Sequence, residues 1–440
     1  MISLLMIQPE NREIKRFRRF QFNNFSQLTM PYLAAFVDER DYKITLIDEY
    51  SQRLPFREHF DLVAITVNTP NAIHCYDISA RFRETGAKVV MGGPHATLLP
   101  DEVKEHCDYL IVGEGETNWP RFLDDYRNGT AQKAYVSNMP PSLENLPLPR
   151  WELLKRRRMM KGAVIATRGC PYDCRYCNLK QIYRFPFRTR PIDKITAEIQ
   201  ALPTQFFVFW DDNLFADQQY AKELLRALIP LKRRWAAQVT LRDCADEELL
   251  SLARSAGCLY LFVGLESFSQ QSLEDAGKGF NRVSEYEPVI SGIHRHGIMV
   301  QAGIVFGFDS DRPDVFDATL AACEKLGIDG ATVSILTPFP QTPIYERLKA
   351  EGRLFSEDWR QYNSKTAVAF MPKNMSAEKL WRGYNRFRRR FYSLGSFVRR
   401  MRVSRTNGWV NFILNLGYRL GIKRQKRRGF PSQGVEKEQS

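Results

Sequence analysis

Along the first 135 residues, short apolar runs alternate with longer stretches in which apolar positions recur every three or four residues. The runs Ile2–Ile7, Lys43–Ile47, Leu62–Val67, Lys88–Met91 and Tyr109–Val112 predict strands, and Met30–Asp38, Ala72–Thr85 and Leu99–His106 predict helices. Strands separated by helices need crossover connections and therefore pair in parallel, so the expected unit is a doubly wound, Rossmann-like α/β sheet. Such sheets bind ligands at the carboxyl ends of their strands. Here those ends read Thr66-Val67-Asn68-Thr69, Gly92-Gly93-Pro94-His95 and Gly113-Glu114-Gly115-Glu116. Glycine at such an end lets the backbone approach a ligand closely, and it also simply makes turns.

Residues 136–160 lose all periodicity and gather proline (Pro140, Pro141, Pro147, Pro149), the mark of a linker. A second alternating series follows over 161–365. Its expected strands are Ala163–Thr167, Phe206–Trp210, Gln238–Leu241, Tyr260–Leu265, Met299–Phe306 and Thr332–Leu336. Its expected helices are Asp193–Ala201, Gln218–Leu228, Glu247–Ser255, Val283–His296 and Asp314–Leu326. A closed eight-unit barrel takes about 250 residues, so six units over this length predict a partial (β/α)6 barrel of TIM type. Beyond Lys365 the strands stop. Residues 366–440 form a helical, basic extension, in which Ser376 is set to cap a helix running to Phe391 and Pro431–Ser440 is expected to fray.

Composition narrows the class. With 44% apolar and 26% charged residues the chain can bury a core, and no apolar run nears the roughly 18 residues of a membrane span. The apolar start Met1–Ile7 precedes the basic Lys15, Arg16, Arg18 and Arg19. A secretory signal has the reverse order, so a cytoplasmic protein is expected. The net charge is +14, and 14 of the 64 Lys and Arg fall between Arg386 and Arg428 with no Asp or Glu among them. The remainder is balanced. Nucleic-acid enzymes carry basic residues around the cleft as well, so nucleic acid is disfavoured as a partner. Within the tail, Trp409, Phe412, Ile413, Leu416 and Leu420 recur at helical spacing, with Asn411, Asn415 and Arg419 on the other face. Three readings stand for it: a helix packed on the barrel with its charges in water, a peripheral contact with the inner membrane surface, and, third, a contact with RNA.

Eight cysteines are too few for a disulfide scaffold, and Cys75, Cys107, Cys244, Cys258 and Cys323 occur singly, as small buried hydrophobes do. The other three fall in Thr167-Arg168-Gly169-Cys170-Pro171-Tyr172-Asp173-Cys174-Arg175-Tyr176-Cys177, directly after the first barrel strand. Three thiolates at this spacing can wrap one iron–sulfur cube from a single loop and leave one iron open. Structural zinc asks for four ligands, and no further His or Cys follows at finger spacing. A disulfide would strand the third thiol.

Cys170, Cys174 and Cys177, with Tyr176 before the last, at the first strand end of a six-unit barrel, resemble the radical S-adenosylmethionine (SAM) superfamily over Gly162–Lys365. The resemblance implies a 4Fe-4S cluster on these cysteines, SAM chelated at the open iron, and release of a 5′-deoxyadenosyl radical after electron transfer. The electron would come from an external donor such as flavodoxin or ferredoxin. Phe209-Trp210-Asp211-Asp212-Asn213 resembles the segment that holds the SAM amino group, with Asp211 and Asp212 where Gly-Gly-Glu is usual. Gly264-Leu265-Glu266-Ser267 resembles the fourth-strand motif, implying Glu266 and Ser267 at the SAM polar end. Gln301–Gly307 resembles the fifth-strand segment, implying Gly303 and Val305 beside the adenine, with Tyr176 as a further contact. Taken alone, the three carboxylates also suit solvated turns.

A doubly wound domain, a proline linker and this barrel together resemble the cobalamin-binding radical SAM proteins. The implied cobalamin contacts are Thr66, Asn68, Gly92, Gly93, His95, Gly113 and Glu114. No Asp-x-His-x-x-Gly stretch is present, so that motif supplies no lower axial histidine. His95 is open to either a ligand role or a loop hydrogen bond. The implied activity is methylation of an unactivated carbon or phosphorus of a small-molecule or lipid-like substrate. The alternatives are a radical cyclisation or rearrangement without methyl transfer, and a non-catalytic iron–sulfur and cobalamin sensor.

Overall fold

A computed structural model describes residues 1–15, 27–154 and 162–424. The expected basic stretch Arg16–Arg19, the end of the linker, the basic run beyond Arg424 and the fraying Pro431–Ser440 lie outside the described residues.

The first sheet comprises β1 (Ile2–Gln8), β2 (Tyr42–Asp48), β3 (Leu62–Thr66), β4 (Lys88–Gly92), β5 (Tyr109–Val112) and β6 (Ala134–Val136). All pair in parallel, in the order 2-1-3-4-5-6. Side chains alternate across a strand, and here the alternation divides them between two cores. Leu4, Met6, Leu62, Ala64 and Val90 join the core that continues into the barrel, whereas Leu5, Ile7, Val63, Ile65 and Met91 face a separate core under helix Ala72–Glu84. Both faces are covered, which explains why the strands read as continuous apolar runs.

Several elements differ from expectation: β6 is not among the expected strands and runs into the expected linker, and the first helix is the shorter Thr29–Ala34. Helix Gly115–Arg127 buries Trp119, Phe122 and Leu123, although Gly115 and Pro120 hide it in the sequence. The single helix expected at Leu99–His106 is instead a set of short turns, Pro94–Leu98, Pro100–Val103 and Lys104–His106, broken at Leu99 and tightening to a 3-10 turn from Lys104.

The second sheet starts with β7 (Ala163–Val164). Thr167 and Arg168 (β8) leave it to pair antiparallel with Arg188–Thr189 (β9), which shortens the first barrel strand from the expected five residues. It continues through β10 (Phe206–Phe209), β11 (Arg234–Thr240), β12 (Cys258–Glu266), β13 (Met299–Phe306) and β14 (Gly330–Ile335). All six are parallel in the order 7-10-11-12-13-14, with β7 and β14 as edges. This is the open six-unit barrel.

Three helices follow: Ala377–Phe391, capped by the Ser376 side chain, then Leu394–Ser404 and Gly408–Arg424. They lie on the barrel near the start of β14. Asp329 is their anchor: one carboxylate oxygen accepts from Val300 N (2.7 Å) and His294 Nε2 (3.0 Å), and the other from Thr406 Oγ1 (2.7 Å) and Asn411 Nδ2.

Candidate functional site

The cysteine loop runs from β8 to the short helix Leu179–Tyr183 and is pinned by groups from distant elements. Arg175 N donates to Ala276 O (2.9 Å), Ile344 N donates to Arg175 O (3.1 Å), and Cys177 N donates to Cys174 O (3.0 Å). Tyr172 stacks on Phe280 with ring centroids 4.1 Å apart and donates to Asp243 Oδ1 (3.0 Å). The other Asp243 oxygen accepts from Asn213 Nδ2 and Thr240 Oγ1, both at 2.7 Å, so the loop is locked to the ends of β10 and β11. Asp243 lies outside every motif read in the sequence, and Asn213, though it ends the Phe209–Asn213 segment, has no role assigned there.

Cys170, Cys174 and Cys177 are all partly exposed, whereas the five lone cysteines are buried. Burial pushes the Cys174 thiol up to about 11 and the Cys177 thiol to about 12, and raises Cys170; the Lys278 ammonium opposes this at Cys170 and Cys174. Such thiols ionise when a metal displaces the proton. Among the described residues no three donors converge on one metal-ion position. A cube asks for a different arrangement, one thiolate per iron with the sulfurs spread over its corners, which three accessible thiols on one pinned loop suit.

The carboxylates beside the loop play unequal parts. Asp211 is buried, and it accepts from Ala166 N (3.1 Å), Thr167 Oγ1 (2.6 Å) and Thr167 N, the residues leading into the cysteine loop. Burial pushes its carboxyl up to about 7, and these bonds only partly offset that. Its oxygens are engaged in positioning the loop. Asp212 lies close enough for its charge to act on Cys170 and Cys177; burial pushes its own carboxyl up to about 6, against the lowering by Arg168, Tyr183 and the Gly169 N–H.

Glu266 ends β12 at φ +65°, beside a register shift against β13. A side chain held there costs about 1–3 kcal/mol and persists where surrounding contacts enforce it. The contact is Lys278, whose Nζ donates to Glu266 Oε1 at 2.9 Å, both groups buried. Lys278 is a site neighbour that sequence reasoning missed, because its partner lies twelve positions away beyond the helix Gln270–Asp275. Tyr176 sits beside Glu266 and Cys174, and burial together with their charges holds its pKa up. Ser267 organises the same turn: its hydroxyl accepts from Ser269 N (3.1 Å) and its carbonyl from Tyr286 OH (3.0 Å). Gly303 pairs with Gly264 at mid-strand, where a Cβ would lie 3.0 Å from the Phe262 ring, and Val305 is half-buried opposite Ser334.

A cavity of about 1430 Å³, its mouth included, lies between the two lobes. The first sheet contributes Thr66, Asn68, Gly92, Gly93, Gly113 and Glu114, and the barrel side contributes Ile165, Arg168, Ile182, Tyr183 and Trp210. His95, expected among these contacts, is not there. It is fully buried, with Nδ1 3.2 Å from Thr69 Oγ1 and Nε2 3.2 Å from Tyr76 OH, its ring edge-on to Trp359. Both nitrogens are engaged, so it acts as a loop hydrogen-bonder. Glu114 is committed too, to Arg168 Nη1 (2.8 Å) and Arg188 Nη2 (2.5 Å), while Arg168 also reaches Glu116 (2.5 Å). This buried bridge joins the lobes.

Gly93 lines the cavity. Its φ is +101°, and a Cβ would meet Thr66 Oγ1 at 2.8 Å and the Val67 carbonyl at 3.0 Å. Gly93→Ala is expected to cost about 1–3 kcal/mol and to lower cobalamin occupancy, read from the urea midpoint and the corrin absorbance per chain.

A family model for the radical SAM superfamily matches residues 164–319, one for the B12 binding domain matches 24–123, and a domain of unknown function (DUF4070) matches 342–433. The chain is 32% identical over 398 residues to bacteriochlorophyllide d C-12(1)-methyltransferase of Chlorobaculum tepidum, covering 87% of each. It is 27% identical over 322 residues to hopanoid C-2 methylase of Rhodopseudomonas palustris, 70% of this chain and 60% of that protein. In fold it is similar to the radical SAM methyltransferase TsrM from Kitasatospora setae, with a TM-score of 0.65 at 18% identity over 79% of this chain and 75% of that one. An open barrel with three accessible thiols on one loop, bridged to a doubly wound sheet across a shared cavity, defines a radical enzyme with a second cofactor domain. The chain belongs to the radical SAM superfamily, in the subfamily that carries a B12 binding domain. With that membership come a 4Fe-4S cluster, SAM and cobalamin.

Proposed function

We propose that this enzyme methylates an unactivated carbon of an apolar, ring-bearing small molecule of tetrapyrrole or polycyclic-lipid type. The observation that carries the reading is the shared cavity, lined by the strand ends of the first sheet on one side and by Arg168, Tyr183 and Trp210 of the barrel lobe on the other. The identity over 87% of a bacteriochlorophyllide methyltransferase supports the substrate class. Bound together, the three cofactors supply a carbon-centred radical that removes hydrogen from a strong C–H bond and a methyl group to replace it.

The chain's residues take the following parts. Cys170, Cys174 and Cys177 hold the cluster. Asp212, Glu266 and Ser267, with Tyr176, Gly303 and Val305, serve the SAM side; Lys278 fixes the Glu266 carboxylate and Asp211 fixes the loop. Thr66, Asn68, Gly92, Gly93 and Gly113 border the corrin side, and the Glu114 bridge keeps the lobes in register. Residues 1–135 thus serve cobalamin, 136–160 connect, and 161–365 serve the radical chemistry. The work takes place in a reducing cytosol, with a one-electron donor such as flavodoxin or ferredoxin.

The test uses anaerobically reconstituted enzyme, cobalamin, a chemical reductant and a chlorophyllide-type acceptor. The expected product gains the mass of one methylene, with one SAM yielding 5′-deoxyadenosine and a second yielding S-adenosylhomocysteine. A product of unchanged carbon count would transfer the protein to cyclisation or rearrangement, and absence of 5′-deoxyadenosine would favour the sensor.

A further inference from the structure

Helix Gly408–Arg424 packs a mixed face inward, Asn411 and Asn415 together with Tyr418 and Ile422. Asn411 is 1% exposed and Asn415 6%. Asn411 Nδ2 donates to Asp329 Oδ1, Asn415 Nδ2 donates to the Asp329 carbonyl (2.9 Å), and Arg400 Nη2 donates to Asn415 Oδ1 (2.9 Å). Arg400, itself fully buried, also donates to the carbonyls of Ile328 (2.6 Å) and Asp329 (2.9 Å). These hydrogen bonds and the stack of Tyr418 on Tyr392 seat the helix, and a second apolar row is left turned outward. Trp409 is 71% exposed and Leu420 42%, with Ile413 and Leu416 exposed between them, at spacings of four, three and four that mark one face.

The preceding helix extends this face. Leu394, Val398 and Val403 are exposed on it, and the two helices touch where Phe397 meets Phe412 with centroids 5.9 Å apart. Seven of the fourteen exposed large apolar side chains among the described residues belong to this pair. Such a concentration of exposed apolar side chains marks an interaction surface. Arg402 and Lys423 are exposed on these two helices and Arg405 at the turn between them, in a segment without acidic residues from Arg386 to Arg428. Two copies meeting through this face would bring like charges together across a two-fold axis, which disfavours self-association. An apolar stripe on a positively charged ground complements an anionic bilayer. Among the described residues no helix is long and apolar enough to cross a membrane, so the contact is interfacial.

We infer that the two C-terminal helices dock the enzyme on an anionic membrane surface. Trp409, Ile413, Leu416 and Leu420 enter the boundary between headgroups and acyl chains, and Arg402, Arg405 and Lys423 meet lipid phosphates. Asp329 precedes β14, so docking engages the base of the barrel and leaves the strand ends, with the cofactor loops, facing away from the membrane. The inference does not depend on which carbon the enzyme methylates.

The experiment is flotation of the full chain with phosphatidylcholine vesicles, with and without about one-third phosphatidylglycerol. Substitution is preferred to truncation because Arg400 and Asn415 hold the fold here. Strong binding to the anionic vesicles alone is expected, weakened about tenfold by raising salt from about 0.1 to 0.5 M. The quadruple variant Trp409→Ser, Ile413→Ser, Leu416→Ser, Leu420→Ser should bind at least about a hundredfold more weakly, with unchanged circular dichroism and unchanged 5′-deoxyadenosine yield. Equal flotation of wild type and variant, or none by either, overturns the inference. So does a concentration-dependent dimer that the variant abolishes while vesicles have no effect, which would make the face an interface between copies.

Discussion

Cys174→Ala is expected to remove the cluster and all SAM cleavage while leaving the fold intact. With three sulfur donors and one open iron, the cube has no donor to spare. The side chain itself supports little: it is partly exposed, and the loop is held by backbone bonds from Arg175 and Cys177 and by the Tyr172–Phe280 stack, all of which alanine preserves. The stability change should stay within about 1 kcal/mol. Iron and acid-labile sulfide per chain, with 5′-deoxyadenosine after dithionite, give the readout; retained cleavage would refute the assignment. Cys323→Ala is the contrasting control. That thiol is fully buried and stands alone, so its loss should cost about 1–2 kcal/mol through the cavity left behind and leave the cluster untouched.

The difference between these cysteines was legible in the sequence because ligand spacing within one loop is a local property. Strand ends were legible for the same reason: Gly92-Gly93 and Gly113 fall where apolar runs stop, and a doubly wound sheet brings such ends to one edge. What the sequence hid is long-range pairing. Nothing near Glu266 announces Lys278, and nothing near Glu114 announces Arg168 and Arg188, 54 and 74 positions away. His95 shows the limit of local reading. It follows Gly-Gly at a strand end, but Pro94 starts a helical turn that carries its ring away from the cavity toward Tyr76 and Thr69. The tail helix shows the same limit in another form. Its two faces were clear from spacing, but which one packs inward was decided by Asp329 and Arg400, outside the helix.

Arg168→Met is expected to be the most destabilising single change at the site. The guanidinium is buried between Glu114 and Glu116, whose side chains are themselves almost wholly buried. Burial works against its charge, but Glu116 and Glu114 outweigh that and hold its pKa above the ordinary value. Methionine fills the space and leaves Glu116 without the partner that neutralises it. Breaking a buried pair from one side costs about 3–5 kcal/mol, mostly the penalty of the stranded charge. Arg168 also lies two residues before Cys170 and in the wall of the interlobe cavity. The variant should therefore lose cobalamin and weaken its hold on the cluster, as well as unfold at lower urea. Adding Glu116→Gln to Arg168→Met removes the stranded charge, and should restore at least about half of the lost free energy. The bridge would be a bystander if single and double variants unfold at the same midpoint, or if Arg168→Met retains full cobalamin. Stability regained without cobalamin would instead identify Arg168 as a positioning residue, one that sets the distance between the lobes in addition to holding them together.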